Sequence, residues 1–228
     1  MLVRDWMQRE VVTVTPDDTL ATALELTREH RVRHLPVVLS GGGLAGLLSD
    51  RDIRLAMPSP LTTADAERHE FLERTAIAGI MTRDVITTGA EETIEEAAKQ
   101  LYRHRIGSLP VVAADGRLEG IITETDILHA FVRILGVVEP STRIEVALED
   151  LPGELGRALT VIGEAVGLNV VSAIVPPLRD GGRKTAILNV ATIDPREAIA
   201  ALRSAGFPVG WPSLERNLAP VEESPLPR

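Results

Sequence analysis

The sequence predicts a chain of mixed α/β and α+β class, in which one α/β unit occurs twice and a ferredoxin-like βαββαβ unit follows. The first observation is a repeat, because Gly-Leu-Leu-Ser-Asp-Arg-Asp-Ile at 46–53 corresponds to Gly-Ile-Ile-Thr-Glu-Thr-Asp-Ile at 120–127. The offset of 74 residues extends back to Met7 and Met81 without a gap. The second observation is a change of pattern from Arg143, where the order of strands and helices becomes that of a split βαβ unit.

Composition excludes several classes of function. The chain has 228 residues, 44% of them apolar but only 3% aromatic, and a formal net charge of −9. An acidic chain with few aromatic residues lacks the basic field and the stacking surfaces that nucleic acid requires. The absence of cysteine excludes disulfides, thiolate nucleophiles and cysteine-based zinc sites. Because no apolar run approaches about 18 residues and no signal peptide is evident, we expect a soluble cytoplasmic protein without a membrane segment.

The first copy of the repeated unit covers residues 1–56. Its β-branched run predicts a strand, and apolar residues at helical spacing predict an amphipathic helix. The predicted elements are a strand at 11–14, a helix at about 19–31, strands at 35–39 and 44–48, and a helix from near Asp52 to before Pro58. A charged connecting segment at 57–76 follows, with a short helix of its own whose apolar contacts are Phe71 and Leu72.

The second copy covers residues 77–135 and has clearer boundaries. Thr93 and Glu96 form the pattern of a capping box at the start of its first helix. Asp115-Gly116 predicts the turn of its hairpin. The closing helix is expected from about Asp126 to Leu135, with Gly136 as its stop.

The C-terminal unit covers residues 143–211. Asp194 as N-cap with Pro195 at the first helical position predicts its second helix. The predicted elements are strands at 143–148, 169–175, 185–191 and 207–211, helices from Gly153 to Gly167 and from Pro195 to Gly206, and a turn at 179–182. The proline-rich residues 212–228 are expected to be a mobile tail.

The doubled unit resembles a tandem pair of cystathionine-β-synthase-type (CBS) domains, or Bateman module. The resemblance rests on two G-h-h-[ST]-x-x-D-h motifs, each about ten residues after Leu-Pro-Val-Val. Residues 143–211 resemble an ACT domain, because Asp150-Leu-Pro-Gly-Glu-Leu fits the D-x-P-G-x-L turn of that family. Two CBS domains followed by one ACT domain are similar to the acetoin-utilisation AcuB-like family. The implied domains are CBS domains at 1–56 and 77–135 and an ACT-like domain at 143–211.

The CBS resemblance implies sites for an adenosine-containing ligand. The carboxylate of Asp52 or Asp126 can accept hydrogen bonds from a ribose diol, and the hydroxyl of Ser49 or Thr123 can donate to a phosphate. Main-chain groups near Val12 or Ile86, and near Val32 or Ile106, are implied to read the adenine edge. Leu47 or Ile121 is implied to pack on its face. Residues before Leu-Pro-Val-Val are implied to meet phosphate: Arg33 and His34 in one copy, Gly107 and Ser108 in the other.

The ACT resemblance implies an amino-acid site where two domains pair. Asp150 could hold an α-amino group, and main-chain N–H groups near Gly153 could hold a carboxylate; Asn169 matches the third position. Both families also imply a homodimer and an unidentified regulated protein as partners. No cofactor is required by either resemblance, and an adenine nucleotide is expected as a regulatory ligand.

Other readings stay open for several of these residues. Asp52 and Asp126 could be helix N-caps only. His30 and His34 are spaced for a metal but lack a third ligand, so no metal site is predicted. Arg31 and Arg105 are expected to be solvated caps at helix ends. Residues 41–46 fit G-x-G-x-x-G, but a strand rather than a helix follows, so we interpret them as a hairpin turn.

The function predicted from the sequence is that of a non-catalytic regulatory sensor. The alternatives are a constitutive dimerisation scaffold whose nucleotide sites have decayed, and an enzyme, although no P-loop, activated nucleophile or zinc motif is present. The two sites are expected to be unequal, because Arg33 and His34 are basic where the other copy has Gly107 and Ser108.

Overall fold

The computed structural model describes residues 1–136, 139–177, 179–180 and 182–211. The chain forms two compact units, Met1–Leu128 and His129–Arg228, and each is described by itself. The predicted tail at 212–228 lies outside the described residues. No helix in the described ranges is both long enough and apolar enough to cross a membrane.

The first unit contains the first copy of the repeat and the second copy as far as Leu128, within its closing helix. Each copy has a helix followed by an antiparallel hairpin and a second helix, and the two hairpins share one register: His34 pairs with Ser49, and Ser108 pairs with Thr123. The elements are α1 (Leu20–Glu29), β1 (His34–Val38), β2 (Leu44–Ser49), α2 (Asp50–Ala56), α3 (Asp65–Arg74), α4 (Ile94–His104), β3 (Ser108–Val112), β4 (Leu118–Thr123) and α5 (Glu124–Ile134).

Apolar residues at the predicted spacing build the core of the first copy. Leu20 and Ala23 of α1 pack with Leu35 and Leu48 of the hairpin, and all four are fully buried. Helix α3, in the connecting segment, adds the buried Leu72 and the partly buried Phe71 to this cluster, as predicted.

The two copies exchange short segments, and this exchange explains the glycine of each repeated motif. Gln8 forms an antiparallel bridge with Ile121 of β4, and Thr82 forms the same bridge with Leu47 of β2. A Cβ atom on Gly46 would lie 2.8 Å from both Met81 Sδ and the Thr82 carbonyl oxygen. A Cβ on Gly120 would meet Met7 Sδ and the Gln8 carbonyl oxygen at the same distances. Only glycine therefore fits at either position without displacing the other copy.

Some predicted boundaries were wrong. The run at 11–14 is not a strand, because its only β-bridge joins Val14 to Val37. β-branched residues form a strand only where a neighbouring backbone pairs with them. Helices α2 and α5 each begin two residues earlier than expected, at Asp50 and Glu124. At the start of α4, Thr93 accepts from the Glu96 N–H, but the Glu96 carboxylate pairs with Lys99, so the reciprocal half of the capping box is not formed.

The second unit has the predicted βαββαβ order. Its sheet runs β6-β8-β5-β9, with a short β7 also paired to β8. The first strand thus lies between the third and the last, which is the ferredoxin-like arrangement. The elements are β5 (Thr142–Glu149), α6 (Glu154–Thr160, continued by a π-helical turn at Val161–Ala165), β6 (Val170–Ile174), β7 (Arg179–Asp180), β8 (Arg183–Val190), α7 (Arg196–Ser204) and β9 (Val209–Gly210).

Three details of this unit differ from the prediction. Pro195, not Asp194, is the N-cap of α7, which begins at Arg196. Arg179-Asp180, expected as part of a turn, pair with Lys184 and Arg183 as strand β7, and the last strand is limited to Val209–Gly210. The helix ends behave as expected, because Gly136, Gly167 and Gly206 have positive φ after α5, the π-helical turn and α7.

Candidate functional site

One cavity of about 430 Å³ draws its walls from both copies of the repeat. It contains nine of the residues implied by the CBS resemblance: Arg33, His34, Leu47, Ser49, Asp52, Ile86, Ile106, Gly107 and Ser108. Five others do not line it: Val12, Val32, Ile121, Thr123 and Asp126. By the 74-residue offset these five are the counterparts of Ile86, Ile106, Leu47, Ser49 and Asp52, so they belong to a second, pseudo-symmetric position.

Asp52 is held by Ser49 through one carboxylate oxygen. Oδ2 accepts hydrogen bonds from the Ser49 N–H at 2.9 Å and from the Ser49 hydroxyl at 2.6 Å. In return Ser49 Oγ accepts from the Asp52 N–H at 3.2 Å, which completes a capping box. Oδ1 has no hydrogen-bond partner among the described residues, so capping and ligand contact can use different oxygens of one carboxylate.

This geometry corrects two expectations. Ser49, not Asp52, is the N-cap of α2, and Asp52 occupies the third helical position. The hydroxyl proton of Ser49 is directed to Asp52, so in this arrangement it does not donate to a phosphate. We therefore expect Ser49 to orient the carboxylate of Asp52.

The second motif repeats this pairing with one difference. Asp126 Oδ2 accepts from the Thr123 N–H at 2.9 Å and from the Thr123 hydroxyl at 2.7 Å. Its other oxygen, Oδ1, accepts a hydrogen bond from Gln8 Nε2 at 3.2 Å. Thr123, like Ser49, thus has its hydroxyl proton engaged by the aspartate.

His34 and Ser108 occupy equivalent positions at the start of β1 and β3 and both line the cavity. Burial lowers the pKa of His34 below its usual range, and the charge of Arg33 lowers it further, against the opposing effect of nearby carboxylates. The lowered pKa favours the neutral form of the His34 imidazole. Ser108 is 1% exposed, and its hydroxyl has no partner among the described residues, so a ligand or a water is needed to satisfy it.

The prediction missed several charged residues of the cavity: Asp50, Arg51, Arg54, Asp84, Arg105 and Glu124. Arg105 is the exposed C-cap of α4, as expected, in the left-handed region at φ +53, and it also lines the cavity. The lining also includes Thr82, whose counterpart at the 74-residue offset is Gln8. The 74-residue repeat could have indicated these residues from the sequence, because it predicts that residues flanking one motif lie beside the other motif.

The glycine-rich segment at 41–46 is a hairpin connection, as interpreted from the sequence. Gly42 has φ +80, and strand β2 begins two residues later, at Leu44. No helix opens at these glycines, so the segment does not have the geometry of a dinucleotide-binding turn.

The predicted amino-acid site is not assembled within one chain. Asp150 directly follows β5, whereas Asn169 precedes β6 and its carbonyl accepts from Ala191 N–H, beside the opposite end of β5. An eight-residue strand separates these ends by about 23 Å. In addition, Asp150 forms an ion pair with Lys184. Gly153 has φ +92 at the start of α6. A site using Asp150 and Asn169 together would need a second chain.

Comparison with known proteins assigns the repeated unit. The CBS domain family model matches residues 3–59 and 77–133. A CBS domain-containing protein from Dictyostelium discoideum is 34% identical over 143 residues, which are 62% of this chain and 99% of that protein. The chain therefore belongs to the CBS domain family and carries two CBS domains. The match leaves the ACT assignment of residues 143–211 as a prediction.

Two further relatives place the CBS pair in different contexts. Inosine-5'-monophosphate dehydrogenase from Korarchaeum cryptofilum is 30% identical over 213 residues, 89% of this chain but only 42% of that enzyme. The crystal structure of a protein assigned to acetoin utilization (AcuB) from Vibrio cholerae has 30% identity and a TM-score of 0.51, and covers 60% of this chain and 94% of the other.

Proposed function

We propose that the CBS pair binds an adenosine-containing ligand of the AMP, ADP or ATP class, and that the chain is a non-catalytic regulator that passes the bound state to another protein. The observation that carries the proposal is the carboxylate of Asp52. Ser49 holds one oxygen, and the other has no partner among the described residues at a cavity built from both copies.

The lining of the cavity matches the chemistry of a nucleotide. The free oxygen of Asp52 can accept hydrogen bonds from ribose hydroxyls. Arg33, Arg51 and Arg105 line the cavity, and guanidinium groups bind phosphate well. The aliphatic side chains of Leu47, Ile86 and Ile106 offer an apolar contact for a base. A volume of about 430 Å³ lies within the range of small-molecule sites.

Charge balance favours a ligand that has both hydroxyl and phosphate groups. Four arginines line the cavity, together with four carboxylates. A simple anion would meet the carboxylates unfavourably, whereas a nucleotide can place its diol at a carboxylate and its phosphate at the guanidinium groups. The unsatisfied hydroxyl of Ser108 adds one buried polar group that ligand binding can satisfy.

The regulatory role follows from where the cavity lies. Its walls come from two copies of one unit, so a ligand that contacts both copies stabilises one arrangement of the pair over another. The similarity to AcuB supports a CBS pair as the main part of a small protein. We propose in addition that residues 143–211 form an ACT-like domain, that the chain is a homodimer, and that an amino acid binds where two such domains pair.

A thermal-shift panel tests the proposal on the full chain. AMP, ADP, ATP, S-adenosylmethionine and NAD are compared with GMP and with single amino acids. A ligand at 100 times its Kd adds about 2.7 kcal/mol to the free energy of unfolding. At about 2–4 °C per kcal/mol for a chain of this size, we expect the melting temperature to rise by about 5–10 °C with at least one adenine compound and not with GMP.

The same samples separate the competing functions. No shift with any adenine compound would refute nucleotide binding and favour a dimerisation scaffold, whose mass would be dimeric in analytical ultracentrifugation. Chemical conversion of a bound compound, followed by chromatography of the ligand after incubation, would contradict the non-catalytic role. The dehydrogenase relative makes this second readout necessary.

A further inference from the structure

The two motif aspartates, Asp52 and Asp126, differ in the hydrogen bonding of their carboxylate oxygen Oδ1. Asp52 Oδ1 has no partner among the described residues, whereas Asp126 Oδ1 accepts from the side-chain amide of Gln8. The residue that corresponds to Gln8 at the other position is Thr82, which is too short to make the same contact and leaves space that belongs to the cavity.

The backbone around this difference is the same in both copies. Gln8 and Ile121 exchange main-chain hydrogen bonds of 2.9 and 3.0 Å, and Thr82 and Leu47 exchange two of 2.9 Å. The close approaches to Gly46 and Gly120 also agree, at 2.8 Å to the same two atoms. Because the backbone contacts are the same in both copies, the side chain at position 8 or 82 decides whether Oδ1 of the facing aspartate is available to a ligand.

We infer that Gln8 acts as a built-in competitor for the ligand at Asp126, so that the CBS pair binds one nucleotide per chain, at Asp52. This inference rests on the proposed nucleotide function. A ribose hydroxyl at Asp126 must displace the Gln8 amide, whereas a ribose hydroxyl at Asp52 displaces no protein group.

The surrounding charges also favour nucleotide binding at Asp52 over Asp126. Arg51 and Arg54 line the Asp52 cavity, and their counterparts in the second copy are Thr125 and Leu128. Leu128 is 64% exposed and offers no donor to a phosphate. A nucleotide at Asp126 would therefore lose the Gln8 contact and gain fewer guanidinium contacts in return.

Exchange of the two side chains tests the inference. Isothermal titration calorimetry with AMP and with adenosine gives the stoichiometry and Kd for the wild type, Gln8→Thr and Thr82→Gln. We expect one equivalent for the wild type, a second equivalent for Gln8→Thr, and an affinity at the first site lowered about tenfold or more in Thr82→Gln, the equivalent of 1.4 kcal/mol. Gln100→Thr, the same chemical change on α4 away from both aspartates, is the matched control and is expected to behave as wild type.

The outcomes separate this inference from the proposed function. Two equivalents bound by the wild type would overturn the inference and leave nucleotide binding intact. A single equivalent in Gln8→Thr, with unchanged affinity in Thr82→Gln, would also overturn it. If the wild type bound nothing, the proposed function and the assignment of the bound site to Asp52 would both fail, and new binding in Gln8→Thr would support only the competition by Gln8 at Asp126. Circular dichroism melts of each variant confirm that it is folded.

Discussion

Replacement of the two motif aspartates by alanine separates ligand binding from helix capping. Asp52 and Asp126 make nearly identical capping contacts, with hydroxyl-to-carboxylate distances of 2.6 and 2.7 Å and N–H distances of 2.9 Å in both. Asp52→Ala and Asp126→Ala should therefore cost similar stability, about 0.5–2 kcal/mol each, as typical for a lost helix cap. Each variant is thus the other's control for stability.

Their effects on binding should differ. Asp52 offers a free, charged acceptor to the ligand, and removal of such a partner costs about 1.5–3 kcal/mol. AMP should consequently bind about 10- to 150-fold more weakly to Asp52→Ala. Asp126 is engaged by Gln8, so Asp126→Ala should leave the Kd within about twofold of wild type.

Calorimetric titration with AMP, paired with urea unfolding of the same preparations, measures both quantities. Unchanged AMP affinity in Asp52→Ala would show that this carboxylate only caps α2. Equal losses of affinity in the two variants would show that the Gln8 contact does not distinguish the two positions.

Three further predictions concern the same unit. Burial lowers the pKa of folded His34 below the value of about 6.5 that it has in the unfolded chain, so the unfolded state binds more protons between these two pKa values and the free energy of unfolding falls as the pH falls through that interval. Urea unfolding from pH 7.5 to 5 should therefore show a smaller pH dependence of stability in His34→Gln than in wild type. An equal pH dependence in the two proteins would contradict this. A nearby phosphate should raise the pKa of His34, so AMP binding at pH 7 should take up more protons in wild type than in His34→Gln, measured by calorimetry in buffers of different ionisation enthalpy. Gly46→Ala places a Cβ 2.8 Å from Met81 Sδ and should cost about 1–3 kcal/mol, seen as a lower melting temperature, whereas Gly43→Ala, with no atom within 4 Å, should cost less.

Much of the fold was predictable because the repeat specifies local structure twice. The helices of each copy and both hairpins follow from apolar spacing and turn residues, and the offset aligns them. The wrongly predicted strand at 11–14 is one whose state depends on a partner elsewhere in the chain. Residues 11–14 have β-branched side chains, but only Val14 finds a backbone partner, at Val37, so no strand forms.

The aspartates of the candidate site were predictable from the sequence, whereas several other residues that line the cavity were not. Asp52 and Ser49 are three residues apart in sequence, and their contact is local, so the motif alone identified the pair. Arg105 and Thr82 reach the same cavity from another copy of the unit, and Arg105 does so from a left-handed backbone position at a helix end. Local pattern carries no information about such side-chain directions.

By itself, the sequence determined the doubled unit, the two aspartates and the hydroxyl beside each of them, because these depend on short-range periodicity and on a repeated motif. Only the tertiary structure decided that Gln8 donates a hydrogen bond to Asp126, while Oδ1 of Asp52 has no partner among the described residues. Gln8 and Asp126 are 118 residues apart in the chain, and the side chain that arrives from the other copy determines which carboxylate is open.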